Sequence, residues 1–190
     1  MTIPNILTSL RILLIPVFIV ASLQRAFDIA FFVFIAAALT DALDGYIARR
    51  FDMRSRLGAI LDPGADKTML VSGYVVYTIA GVAPYGLPIS LTLTVFMRDV
   101  AMVFVAYLLY TRIRIRRFPP TILGKLSTIF QAVALAVTMG SNMFLAPVLL
   151  PLLFWAQAAA LIMTLLSGWD YLRLWALYLE QPGVRISDTT

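Results

Sequence analysis

Four aspartates, Asp41, Asp44, Asp62 and Asp66, sit in the stretch "TDALDGYIARRFDMRSRLGAILDPGADK" from Thr40 to Lys67, between long apolar runs. Residues three or four apart on a helix share a face. Asp41 and Asp44 therefore form one pair and Asp62 and Asp66 another, and the two pairs can converge into a cluster of four carboxylates. An aspartate at the centre of a bilayer costs about 2.5 to 3.5 kcal/mol, less near the interface. Four together also repel one another, and a divalent cation relieves that. Hard oxygen ligands suit Mg²⁺ or Mn²⁺, and two ions about 4 Å apart can share such a site. A carboxylate left over is a candidate general base. The competing reading pairs these carboxylates with Arg49, Arg56 and Lys67 at helix ends.

The chain offers little other chemistry. Its 190 residues include no histidine and no cysteine, which excludes Ser-His-Asp and Cys-His catalysis, disulfides and imidazole metal ligands. Hydrophobic residues make up 61% of it and charged residues 13%, with a mean hydropathy of +0.90. A soluble domain is about half apolar and a quarter charged, so the composition describes an integral membrane protein. Its net charge of +5 is read as loop charge that orients the chain in a membrane, not as a nucleic-acid surface. The N-terminal run lacks a basic leader and carries Asn5, Thr8 and Arg11, so it reads as a helix rather than a cleaved signal.

A membrane helix needs about 20 mainly apolar residues. Six segments qualify, near 6–22, 28–48, 58–81, 87–110, 122–142 and 149–172, separated by turn signals such as "GVAPYGLP" and "RFPP". The expected fold is all-α: six transmembrane helices in one bundle, forming a single domain over 1–180 with a polar tail at 181–190. Arg49, Arg50, Arg54 and Arg56 follow the second span, Arg112, Arg114, Arg116 and Arg117 the fourth, and Arg173 and Arg185 the sixth; the alternate loops hold only Arg25. That bias places both termini and the aspartates at the cytoplasmic face. Gly45, Ala48, Gly58 and Gly64 allow close approach of a ligand or backbone, and Arg49 offers charge to a phosphate.

The segment from Asp41 to Asp66 resembles the signature of the CDP-alcohol phosphatidyltransferase family, D-x2-D-G-x2-A-R-x8-G-x3-D-x3-D. Asp41, Asp44, Gly45, Ala48, Arg49, Gly58, Asp62 and Asp66 fill every fixed position. The family is also six-helical and of about this length. The resemblance implies transfer of a phosphatidyl group from CDP-diacylglycerol to a polar alcohol, with release of CMP. It also implies Mg²⁺ or Mn²⁺, two ions, held by Asp41, Asp44, Asp62 and Asp66, with Asp66 as the base. It further implies contacts from Gly45, Arg49 and Ser55 to the cytidine diphosphate, and it leads one to expect a homodimer among membrane lipids. "IPNILTSLRILLIPV" resembles the family's N-terminal segment, which makes Asn5 and Thr8 candidate contacts to the CDP-lipid; helix capping and interfacial anchoring explain them equally.

The acceptor is less defined. Arg98 and Asp99 lie deep in the fourth span, where Arg98 either grips an acceptor phosphate or is neutralised within the bundle. Lys125 heads the fifth span at the expected mouth of the cavity. Within the family, "IPNILTSLR" and the Gly124-Lys125 pair look most like phosphatidylglycerophosphate synthases, which use glycerol 3-phosphate. "RDV" and "PTILGKLSTIFQ" also resemble cardiolipin synthases, whose acceptor is phosphatidylglycerol. A reading from another class, a cation channel or transporter lined by the four aspartates, predicts carboxylates spread through the membrane depth or on repeated halves instead of bunched at one face.

Overall fold

The computed structural model describes residues 3–50, 58–79, 81–113, 121–145 and 147–180; within these, the side chains of residues 3–9, 11, 41–50, 58–66, 106, 108–113, 147 and 175–180 fall outside the description. Six helices follow one another: α1 (Ile3–Leu23), α2 (Phe27–Arg50), α3 (Gly58–Thr78), α4 (Ile89–Ile113), α5 (Ile122–Phe144) and α6 (Leu150–Glu180), with a 3₁₀ turn at Pro147–Leu149. No strand occurs among the described residues.

Local chemistry sets the helix ends. α3 stops at Thr78, short of the expected 81, because the Tyr77 carbonyl accepts from the Leu87 amide (2.8 Å) and Gly81 takes a φ of +84°. α4 starts at Ile89 because Pro88 biases Leu87 away from helical geometry, while its own carbonyl accepts from Leu91 and Thr92. The Thr121 side chain caps α5 by accepting from the Gly124 amide, and Leu145, at φ 47°, ends it.

Polarity runs inside out. Buried positions include Ser22, Thr92, Arg98, Ser127, Gln131, Thr138, Asn142, Thr164 and Ser167, whereas Met97, Val100, Phe104, Val148, Trp155 and Trp169 are mostly exposed. Several interior hydroxyls bond back to their own helix, as Thr78 does to the Tyr74 carbonyl (2.6 Å), Thr138 to Ala134 (2.7 Å) and Thr164 to Ala160 (2.7 Å). Satisfied in this way, they bring no unpaired donor into an apolar setting. Among the described residues, Ile122–Phe144 and Leu150–Leu174 are long and apolar enough to cross a membrane, and Ile12–Leu23 and Phe27–Thr40 are shorter apolar segments.

Side chains strap the α3–α4 connection. Arg25, in the α1–α2 turn, donates to the Gly81 carbonyl (2.7 Å). Asn142 of α5 accepts from the Tyr85 amide (2.9 Å) and donates to the Tyr85 carbonyl (2.7 Å), and Gln157 of α6 donates to Gly86 (3.1 Å). The α1–α2, α3–α4 and α5–α6 turns therefore meet at one end of the bundle. Helices of this length span about 30 to 45 Å, so the start of α1, the end of α2 and the starts of α3 and α5 occupy the other end.

Candidate active site

That second end carries the motif. Asp41, Asp44, Gly45 and Arg49 fall on the last turns of α2, Asp62 and Asp66 on the first turns of α3, Asn5 and Thr8 on the first turns of α1, and Lys125 on the first turn of α5. α1 packs against both α2 and α3, so the helices bearing the two aspartate pairs share a neighbour. The side chains of Asn5, Thr8, Asp41, Asp44, Gly45, Arg49, Asp62 and Asp66, and all of Ser55, lie outside the described residues. Among the side chains that are described, no group of three or more metal-ligating residues gathers.

A charged seam begins one residue past Asp66. Lys67 Nζ lies 3.0 Å from Asp99 Oδ2, while Asp99 Oδ1 accepts from Arg98 Nη1 at 2.9 Å. Arg98 Nη2 donates to Ser167 Oγ (2.7 Å) and approaches the Gly124 carbonyl (3.5 Å), and the guanidinium lies 5.7 Å from the centroid of the Tyr171 ring, within cation–π range. Arg98 is 7% exposed, and its Nε has no partner among the described residues. One carboxylate thus ties α3 to α4, and one guanidinium ties α4 to α5 and α6. The structure shows Arg98 neutralised within the bundle, and it draws Lys67 to Asp99.

Polar contacts continue beside this seam. Gln131 Nε2 donates to Ser127 Oγ (3.1 Å) and Thr164 Oγ1 (3.0 Å), and the Tyr74 hydroxyl donates to the Gln131 carbonyl (3.2 Å). A cavity of about 20 Å³, room for one water, is lined by Lys67, Tyr74, Asp99, Thr128 and Gln131 among others. Sequence reasoning did not single out Ser127, Gln131, Thr164 or Ser167. The available signal was a polar side chain inside an apolar run, which marks a position facing the interior. Lys125 is exposed. Gly124 before it is a close approach, since a Cβ there would stand 2.8 Å from the Tyr171 hydroxyl.

Ser167→Ala removes a buried hydrogen bond to a charged group, a change worth about 1.5 to 3 kcal/mol. It is expected to lower the melting temperature in detergent by several degrees, and an unchanged melting curve would show that Arg98 does not depend on Ser167.

Residues 1–176 match the CDP-alcohol phosphatidyltransferase family. The chain belongs to that family. It is similar to human "Cardiolipin synthase (CMP-forming)", 35% identical over 161 residues that cover 75% of this chain and 52% of that protein. It is also similar to a "Probable phosphatidylglycerophosphate synthase" of Mycobacterium tuberculosis, 34% identical over 176 residues, 88% of this chain and 78% of the relative. Over a shorter stretch of 73 residues, 37% of each chain, it is 49% identical to the "CDP-diacylglycerol--glycerol-3-phosphate 3-phosphatidyltransferase" of Pseudomonas fluorescens. The chain spans about half the length of the human and rat cardiolipin synthases that it matches. For this CDP-alcohol phosphatidyltransferase family member, the eight signature positions lie at the end of α2 and the start of α3.

Proposed function

We propose that the chain is an integral membrane enzyme that transfers a phosphatidyl group from CDP-diacylglycerol to glycerol 3-phosphate, giving phosphatidylglycerophosphate and CMP. The observation that carries this is the placement of all eight signature positions on the α2 end and α3 start, opposite the strapped turns of a bundle with an apolar exterior. In this reading all six helices cross the bilayer and both termini are cytoplasmic. Residues 1–180 form the membrane domain and 181–190 a polar tail, and the enzyme is a homodimer of the bacterial inner or plasma membrane with its site facing the cytoplasm.

The donor set fits a hard divalent cation. Asp41, Asp44, Asp62 and Asp66 supply carboxylate oxygens only, and the neighbouring ammonium of Lys67 is already engaged by Asp99. These four residues would hold Mg²⁺ or Mn²⁺, two ions. Bound there, the cations supply positive charge to the diphosphate and to the departing CMP. Asp66 accepts the proton of the acceptor hydroxyl as its oxygen forms a bond to the β-phosphorus of the CDP-lipid, and the bond from that phosphorus to the CMP oxygen breaks. Gly45 lets the cytidine diphosphate approach the α2 backbone, and Arg49 and Ser55 bind its phosphates. Asn5 and Thr8 contact the lipid-linked side of the donor. Lys125, exposed at the head of α5, recognises the acceptor phosphate, while Arg98 stays engaged by Asp99 and Ser167 inside the bundle.

The similarity to the human cardiolipin synthase favours a second reading, in which phosphatidylglycerol is the acceptor. Purified protein supplied with CDP-diacylglycerol, Mg²⁺ or Mn²⁺ and each acceptor in turn separates the two. Release of CMP with glycerol 3-phosphate, and formation of phosphatidylglycerophosphate, is the expected result. Release only with phosphatidylglycerol would move the chain to the second reading, and no release with either would remove both.

A further inference from the structure

The charge count of the seam is uneven. Arg98 and Asp99 alone make a neutral pair at 2.9 Å, which already settles the cost of placing a guanidinium in the interior. Lys67 adds a second cation to the same carboxylate, through its other oxygen, at 3.0 Å. Neutralising Arg98 does not require that. The Lys67 side chain remains half exposed, whereas Asp99 is 17% exposed and fixed from behind by Arg98, itself held by Ser167. The carboxylate is the rigid partner and the ammonium is the tethered one. Lys67 also follows Asp66 directly on α3, so whatever fixes its ammonium fixes a positive charge within the same helical turn as that aspartate.

We propose that Asp99 is a positioning residue: it holds the Lys67 ammonium against α4 and so keeps it from competing with a divalent cation for the aspartates of α2 and α3. The proposal rests on the phosphatidyl-transfer reading above. A lysine has a long flexible stem and a compact charge, and four carboxylates are its natural destination once Asp99 is gone. With Asp99 present, the same lysine is part of the tie between α3 and α4, and the aspartates are left to the metal. On the α5 side the pair borders a water-sized cavity that Thr128 and Gln131 line together with apolar Leu70, Val95 and Phe96.

The test reads Mn²⁺ binding directly, from the paramagnetic resonance signal of free Mn²⁺ titrated into the purified full chain, with CMP release measured alongside. Asp99→Asn is expected to weaken Mn²⁺ binding roughly ten-fold or more as the freed ammonium competes for the carboxylates, a change of the size that losing a group beside a metal site produces. The Mn²⁺ concentration for half-maximal CMP release should rise by the same factor, with kcat at saturating Mn²⁺ little changed. Adding Lys67→Met to Asp99→Asn removes the freed ammonium and is expected to restore wild-type affinity, although Arg98 lacks its carboxylate in both variants. Equal affinity in wild type and Asp99→Asn would overturn the proposal, as would a double variant as weak as the single one. Should Asp99→Asn fail to fold, Lys67→Met decides alone, since its Arg98–Asp99 pair stays intact. Unchanged Mn²⁺ affinity is expected there, and roughly ten-fold weaker binding would show that Lys67 serves the metal site and overturn the proposal. Wild-type protein that binds Mn²⁺ but releases no CMP with any acceptor would remove the transfer reading, and the binding comparison would still judge Asp99. Wild-type protein that binds no Mn²⁺ would overturn both.

Discussion

Protein stripped of divalent cations with EDTA is expected to release no CMP from CDP-diacylglycerol, and added Mg²⁺ or Mn²⁺ is expected to restore full release. The effect is electrostatic before it is catalytic. Four carboxylates brought to one site, as proposed, repel one another, and without histidine or cysteine the chain has no softer ligand to substitute. The ammonium of Lys67, next to Asp66 in the sequence, is engaged by Asp99. Removing the cation therefore removes both the charge facing the diphosphate and the counter-charge of the aspartates. Stability should follow: a ligand at 100 times its Kd adds about 2.7 kcal/mol, so the melting temperature of the purified protein is expected to rise on adding Mn²⁺ even without substrate. Turnover that persists in EDTA would sink the metal-dependent reading.

Asp66→Asn is expected to lower kcat by roughly 10² to 10⁴, the range for loss of a general base, while the protein remains folded and monodisperse in detergent. Asparagine is nearly isosteric and keeps a carbonyl oxygen for a cation, but it takes no proton at neutral pH. The substitution thus separates proton removal from ligand count. Asp41→Asn, which changes only ligation, is expected to act mainly through the Mn²⁺ requirement. Activity of Asp66→Asn within a few-fold of wild type would transfer the base role away from Asp66, and steady-state kinetics at saturating Mn²⁺ read the difference directly.

Much of this architecture was legible in the sequence because the signals are local. The length of an apolar run predicts a helix, and the helices begin and end within a few residues of the expected segments except at α6, which continues to Glu180 past the expected 172. Where boundaries moved at the α3–α4 connection, a proline and a positive-φ glycine account for it. The candidate site was legible for the same reason: its signature is a fixed spacing on two consecutive helices. The partners of Arg98 were not. Ser167 lies 69 residues away and Gly124 lies 26 away, and nothing in the local pattern of either helix pairs them. Gln131 and Thr164, 33 residues apart, illustrate the same limit. Each is a polar residue in an apolar run, which announces an interior position but not its neighbour.

The strapped turns have a consequence for the membrane itself. In the proposed membrane setting, an enzyme with Arg98, Asp99 and Gln131 in its interior must not become a leak. From the level of Tyr74 towards the turns, the described core is mainly Tyr77, Leu87, Leu91, Val95, Leu135 and Met139, all buried, with the hydroxyls of Thr78, Thr92 and Thr138 hydrogen-bonded. Beyond that layer, Arg25, Asn142 and Gln157 stitch the α3–α4 connection shut. Among the described residues, the polar seam that begins at Lys67 stops at this apolar layer. In the proposed orientation, that packed layer and the stitched turns stand between the aspartates and the far side of the membrane.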